Sequence, residues 1–385
     1  MTVSTATPKL FQPVTVGNMQ LAHRIVFAPS TRFRNDKNHV PLPIVKEYYR
    51  QRASVPGSFI IYEASVVAPK AAGFGNAAAI WSDEQVEAMK EIVAGIHEQG
   101  CYVFLQIAAT GFSARLNYLA EDDPTADYIG ASDIPLKGRE HEQHPRPLTI
   151  SEIHEYAELF ATAARNAVFR AGYDGVEIHG AHGYLIEQFL SDRSNRRTDE
   201  YGGSIENRAR FALEITDAVV RAVGEERVGY RVSPWSTYQE INMPDPKPAF
   251  GYLATQLRDR YPKLAYLSVV EPGAAADDAA DPDLYAKDAS NDFLREIWRP
   301  KERPFISAGG YTRETAIKTA EEKGDLIGFS KLYIGNPDLP RRLMENAPLT
   351  IPERKYFYSR ASEDAKGYTD YPFWEPVPSK QVPTF

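Results

Sequence analysis

Three residues able to orient and protonate a carbonyl compound, His179, His182 and Tyr184, sit close together in the stretch GVEIHGAHGYLIEQFLSDRSNRRTDEYGGSIENRAR, Gly175 to Arg210. A short apolar run, Val176 to Ile178, reads as a buried strand, and the strand ends on His179. After Tyr184 a polar loop leads to a helix beginning near Ser204. Two imidazoles and a phenol at the mouth of a strand supply hydrogen bonds to an oxygen and a general acid for the neighbouring carbon. The spacing His179-x-x-His182 also suits zinc, but closed zinc sites take four ligands and catalytic ones usually three. No carboxylate or cysteine is placed as a third, and no metal is expected.

Something must hold these residues at one mouth, and the rest of the chain supplies it. Eight short apolar runs recur: Ile25–Ala28, Phe59–Glu63, Tyr102–Ile107, Val176–His179, Val228–Val232, Tyr266–Val270, Phe305–Ala308 and Leu326–Phe329. Helical patterns intervene at Ile44–Arg52, Glu84–Glu98, Ser151–Ala171, Ser204–Val223, Ala249–Arg260, Asn291–Trp298 and Thr312–Lys323. Ser151 and Thr312 read as helix N-caps. Alternation of this kind predicts an α/β fold, a single (β/α)8 TIM barrel occupying 1–385 as one domain. The alternative, an open doubly wound sheet, announces itself by a glycine-rich turn after its first strand. The one such string, Gly73-Phe74-Gly75-Asn76-Ala77-Ala78, follows Pro69-Lys70 and not a strand, so it reads as a loop. Two connections, Thr110 to Leu148 and Glu271 to Asn291, are long enough to be lids or binding loops at the C-terminal face.

Barrel enzymes build their sites at the C-terminal ends of the strands. Here those ends carry Pro29-Ser30-Thr31, Ala64, Gln106, His179, Arg231, Gly309-Gly310 and Ser330-Lys331. Gln106 offers a donor and an acceptor, as the pyrimidine edge of an isoalloxazine requires. Arg231 is a permanent cation for the charge that gathers on a reduced flavin. Thr31 can donate to a ring carbonyl. Gly309-Gly310 lets backbone amides approach a phosphate, and Lys331 adds charge. Each alone has an ordinary structural explanation; together they fit one flat, polar-edged, anionic ligand.

From about Leu10 to Phe373 the chain resembles the old yellow enzymes, flavin-dependent ene-reductases. The resemblance rests on the His179, His182, Tyr184 pattern and on APSTRFR (Ala28–Arg34), IWSDEQ (Ile80–Gln85), DEYGGSIENRARF (Asp199–Phe211), RVSPW (Arg231–Trp235), NPDLPRRL (Asn336–Leu343) and GYTDYP (Gly367–Pro372). VPLPIVKEYYRQRASVPG, Val40–Gly57, is similar to a fungal branch that includes the ergot-alkaloid aldehyde reductases. The resemblance implies FMN held by Pro29, Ser30, Thr31, Ala64, Gln106, Arg231, Gly309, Gly310, Ser330 and Lys331. It makes NADPH (or NADH) the transient reductant, His179 and His182 the groups on the substrate's carbonyl oxygen, and Tyr184 the proton donor. Phe74, Ala108, Thr110, Trp235 and Tyr358 would line the substrate pocket.

The implied reaction is reduction of an activated C=C bond in an α,β-unsaturated carbonyl compound of fungal specialised metabolism. The chain departs from its relatives where they usually carry Trp at the position of Ala108, Tyr at Phe74 and Gly-Arg at Ser330-Lys331. A small residue at 108 opens room for a larger substrate, and lysine keeps charge without a bidentate fork. These departures keep a redox-neutral isomerase or cyclase as the alternative reading. A non-catalytic flavin-binding barrel has no use for the two histidines and Tyr184.

Composition sets the remaining bounds. A formal net charge of −8 and 43% hydrophobic residues describe an ordinary globular chain with no basic footprint for nucleic acid. Neither a signal-peptide pattern nor an apolar run of ~18 residues is present, so no membrane association and a cytoplasmic location are expected. The single cysteine, Cys101, opens the run CYVFLQI and reads as a buried strand residue. The expected partner is a small molecule, with a homodimer as the candidate assembly.

Overall fold

The computed structural model describes residues 7–240, 242–274, 289–299 and 303–376. Eight parallel strands close on themselves: β1 (Ile25–Phe27), β2 (Phe59–Val66), β3 (Tyr102–Ala108), β4 (Gly175–Gly180), β5 (Val228–Val232), β6 (Tyr266–Val270), β7 (Phe305–Ala308) and β8 (Leu326–Phe329). Closure is made by β8 pairing β1 and β1 pairing β2. All eight apolar runs of the sequence are these strands. A closed parallel barrel covered by helices buries both strand faces, which is why the runs are continuous and not alternating. The helices are α1 (Pro43–Arg52), α2 (Asp83–His97), α3 (Ile150–Arg165), α4 (Ile205–Val223), α5 (Lys247–Arg260), α6 (Asp292–Trp298) and α7 (Arg313–Lys323).

Two local expectations need correction. Ser151 does not cap α3. Thr149 does, in a reciprocal box in which Thr149 accepts from the Glu152 amide and Glu152 accepts from the Thr149 amide. The Arg146 guanidinium and the cap hold the Glu152 carboxyl down at about 2. The predicted helix Ser151–Ala171 also changes character at Asn166, where a π-turn runs to Ala171 before Gly172 ends it. Thr312 does cap α7. Gly73 to Ala77 is a loop after a short 3-10 turn, closed by reciprocal amide bonds between Asn35 and Asn76, and Ala78 opens a two-residue strand paired to β2.

The barrel interior is layered, and the layering positions the site. Toward the N-terminal ends lie Val26, Phe59, Ile61, Phe104, Tyr266, Ile306 and Leu326, closed from below by Val16, Met19 and Leu21 of an N-terminal hairpin. One pleat further along, the inward positions turn polar: Gln106, Glu177, His179, Arg231 and Ser268 are all buried. In strand register Gln106 neighbours Glu177, and Arg231 neighbours both His179 and Ser268. A hydrophobic plug therefore carries a polar floor.

The loop Thr110 to Leu148 is partly structured, with helix Leu116–Asp122 and a small ribbon of Ile129–Gly130 against Arg146–Pro147. Of the second long loop, residues 275–288 lie outside the described residues. Cys101 is buried as expected, though it lies just ahead of β3 and not in it; burial pushes its thiol up to about 11, and it donates to the carbonyls of Ala53 and Val55 at 3.1 Å. Among the described residues no helix is long and apolar enough to cross a membrane.

Candidate active site

β4 delivers the first of the three residues that could act on a carbonyl. His179 is 5% exposed, and its Nδ1 accepts from the Ala181 amide at 3.3 Å, so the neutral ring carries its proton on Nε2. The chain then makes a tight left-handed turn, with φ of 57° at His182 and 73° at Gly183. A Cβ on Gly183 would also lie 2.9 Å from the Gln239 Cβ, so glycine is required there on two counts. The turn brings Tyr184 back over His179, their rings 4.9 Å apart and nearly perpendicular; the His179 and His182 rings are 6.0 Å apart. Tyr184 then opens the short helix Leu185–Leu190.

The protonation states follow from burial. Burial, with His182 and Arg231 adding repulsion, holds His179 well below its ordinary value. Burial and Arg231 depress His182 to about 3. Both rings are neutral at physiological pH and can donate N–H bonds without carrying charge. Burial, reinforced by Tyr238, Tyr358 and a hydrogen bond to Tyr238, holds Tyr184 above the usual phenol value. Tyr184 is therefore the hydroxyl that still has a proton to give.

Beside this triad lies a buried ionic floor. The Gln106 amide donates to Glu177 Oε1 at 2.6 Å. Burial raises Glu177 against the opposing pull of Arg231 and Gln106. Arg231 is 8% exposed, yet among the described residues its Nε and Nη1 find no partner. Buried guanidinium donors left unmatched are costly, and they suit the polar edge of an anionic ring system. On the far side, Gly309 (φ 137°) and Gly310 (φ 70°) follow β7, and a Cβ at Gly310 would meet nothing within 4 Å. Past the ends of the neighbouring strands β8 and β1 the Ser330 and Ser30 hydroxyls lie 2.6 Å apart. Ala64 falls where β2 shifts register between Tyr62 and Ser65, a bulge that re-aims the strand end. These residues could cradle a flavin from ring to phosphate.

The pocket-lining expectations divide. Phe74 stands 6.4 Å from the Tyr184 ring, and half-exposed Tyr358 packs edge-on against Phe33 at 5.8 Å. Ala108 ends β3 and is buried. Thr110 is also buried, with its hydroxyl tied to the carbonyls of Ala71 and Ala72. Among the described residues the buried Trp235 indole N–H finds no partner, and the Lys247 ammonium lies 5.9 Å from its ring. Among the described residues no cluster of three His, Cys, Asp or Glu could hold a metal.

Sequence reasoning passed over Glu177, Glu187, Ser233 and Tyr238. Glu177 had a signal: it lies two residues before His179 on one strand and so shares its face. Tyr238 had none, because it arrives from a loop after β5, its ring 6.4 Å from His182.

A closed barrel with a polar, cation-bearing mouth is the framework of a cofactor-dependent oxidoreductase. The chain belongs to the NADH:flavin oxidoreductase / NADH oxidase family, whose model matches residues 9–350. FMN is therefore its cofactor, and Arg231's unmatched donors and the open space at Gly310 fit that group. Among its relatives are an NADP-dependent oxidoreductase of Aspergillus flavus, 45% identical over 95% of this chain and 96% of the relative. A chanoclavine-I aldehyde reductase of Penicillium roqueforti is 46% identical over 95% and 96%. The fold superposes on the crystal structure of old yellow enzyme from a Pichia species with a TM-score of 0.86, at 35% identity over 97% of this chain and 95% of that one.

Proposed function

We propose that the protein uses NADPH to reduce the activated C=C bond of an α,β-unsaturated aldehyde or ketone of specialised metabolism. The observation that carries this reading is the pairing of two neutral imidazoles with a protonated phenol 4.9 Å from the nearer one, beside a buried cation. The relatives named as NADP-dependent and as an aldehyde reductase support the choice of reductant and substrate class.

Pro29, Ser30, Thr31, Ala64, Gln106 and Arg231 would hold the ring of FMN, and Gly309, Gly310, Ser330 and Lys331 its phosphate. When bound, FMN supplies hydride acceptance from NADPH and hydride delivery to the substrate's β-carbon. His179 Nε2–H and His182 donate to the carbonyl oxygen, drawing electron density from the β-carbon and stabilising the enolate oxygen as it forms. Being neutral, they stabilise that charge without protonating it. The Tyr184 hydroxyl gives its proton to the α-carbon. A phenol is a weak acid, but the enolate is a strong base, and positioned acid help is typically worth ~10²–10⁴-fold.

The test is the visible spectrum of the purified protein, followed by anaerobic NADPH and then an enone or enal. A flavin band that bleaches with NADPH and returns with the enone is expected. Bleaching without return, or turnover without net NADPH consumption, favours the redox-neutral alternative and overturns the reductase.

A further inference from the structure

Glu187 is a buried carboxyl, 5% exposed, four residues beyond the end of the left-handed turn and outside every role assigned above. Its Oε2 accepts from the Gly183 amide at 2.8 Å. The Ser233 hydroxyl lies 3.3 Å from the same oxygen and itself accepts from the His182 amide at 2.7 Å. The two consecutive backbone N–H groups of the strained turn, at His182 and Gly183, are thus both satisfied by one side-chain pair. No other side chain accepts from either amide among the described residues.

We propose that Glu187, acting with Ser233, is the positioning residue of the substrate side of the site, clamping the His182–Gly183 turn and thereby the spacing of His179, His182 and Tyr184. This inference rests on the ene-reductase reading for its catalytic consequence, though not for its geometry. A histidine with φ of 57° adopts a conformation that few L-residues hold unaided. Letting that turn relax would separate the carbonyl-binding histidines from the proton donor, and misplacement of about 1 Å can cost about 10²-fold in rate.

The clamp has a second property. Burial lifts the Glu187 carboxyl to about 8, against the pull of the Gly183 amide and the Ser233 hydroxyl. From β5 the Tyr230 phenol faces it, itself raised by burial and by Glu187. From its own segment come His182 and Tyr184, and from α4 Arg208 reaches the same short helix at the Leu190 carbonyl. Below the inflection Glu187 is a neutral acid whose O–H can donate to Ser233. Above it the carboxylate places a negative charge behind the turn, opposing the charge that develops on the substrate oxygen. The neutral form is the productive one, and the rate of enone reduction should fall roughly tenfold per pH unit beyond the inflection.

The experiment uses flavin-loaded protein and two variants. Glu187→Gln keeps a carbonyl acceptor for Gly183 and an N–H donor for Ser233, but cannot ionise. It should retain the neutral-pH rate of reoxidation by enone and lose the alkaline fall. Glu187→Leu should lose about 10²-fold in that rate at unchanged flavin content. In parallel, the backbone amide signals of His182 and Gly183 in 15N-labelled protein should titrate near pH 8 in the wild type and stay flat in Glu187→Gln. That readout needs no turnover, so it tests the clamp even if the enone proves not to be a substrate. A wild-type rate in Glu187→Leu, or the same amide titration in Glu187→Gln, overturns the proposal.

Discussion

Replacing Tyr184 by Phe removes one oxygen atom and leaves the pocket's shape intact. The phenyl ring keeps its perpendicular contact with His179 at 4.9 Å and its contact with Phe74 at 6.4 Å. The structural loss is the hydrogen bond to Tyr238, worth about 1 kcal/mol, so folding and flavin content should be almost unaffected. The chemical loss is the protonated hydroxyl whose ring meets His179 edge-on, the proposed proton donor. General acid assistance of ~10²–10⁴-fold corresponds to about 2.7–5.4 kcal/mol of barrier. That loss falls on one half of the cycle. Anaerobic stopped-flow separates them: bleaching of the flavin by NADPH should run near the wild-type rate, whereas its reoxidation by enone should slow by at least ~10²-fold. Reoxidation at the wild-type rate, or slowing confined to the NADPH step, would refute the role of Tyr184.

Three other outcomes follow from buried groups. Arg231→Met should leave Glu177 buried without its counter-charge, costing roughly 3–5 kcal/mol in stability, and the protein should elute from gel filtration with little flavin. Arg32 donates to the carbonyls of Phe357 (3.0 Å), Tyr356 (3.2 Å) and Gly367 (2.9 Å) and to the Tyr48 hydroxyl (2.9 Å). Arg32→Lys keeps the charge but not the fork, so a loss of roughly 2–4 kcal/mol and faster amide exchange across 356–368 are expected; unchanged exchange would remove Arg32 as the tether. His23, 1% exposed, is lowered to about 4 by burial. The unfolded chain protonates it from about pH 6.5 downward while the fold keeps it neutral, so stability drops by about 1.4 kcal/mol per pH unit between those values. Urea titrations at pH 7 and 4.5 should show His23→Gln losing less stability on acidification than the wild type.

The barrel was legible because each strand is short, apolar and buried on both faces, and Val228–Val232 or Tyr266–Val270 could hardly be read otherwise. The helix start at Thr149 was not, because Ser151 and Thr149 are both good caps and only Glu152's reach back distinguishes them. At the site, Gln106, His179 and Arg231 were read from their types as strand-end residues, and the structure buries all three there. Glu177 was passed over although its spacing put it on the same face as His179; in the barrel it faces Gln106 and Arg231. Glu187 carried no signal in LIEQFL; only the fold shows that its helix is buried all round. Thr110 was expected in the pocket, and the structure explains its presence equally well as an anchor for the loop at Ala71 and Ala72.

The register of the polar floor has an evolutionary consequence. Arg231 sits directly beside His179 across the β4–β5 ladder, and Gln106 beside Glu177 across β3–β4. The offset between Arg231 and His179 is therefore one interstrand spacing, about 4.8 Å, and strand pairing alone sets it. Descendants of such a chain can lengthen, shorten or rewrite the loops above the mouth, and so change what they admit, without altering that spacing below. Selection on the loops and selection on the strand pairing act on separate parts of the chain, so the polar floor can be inherited intact through many changes above it.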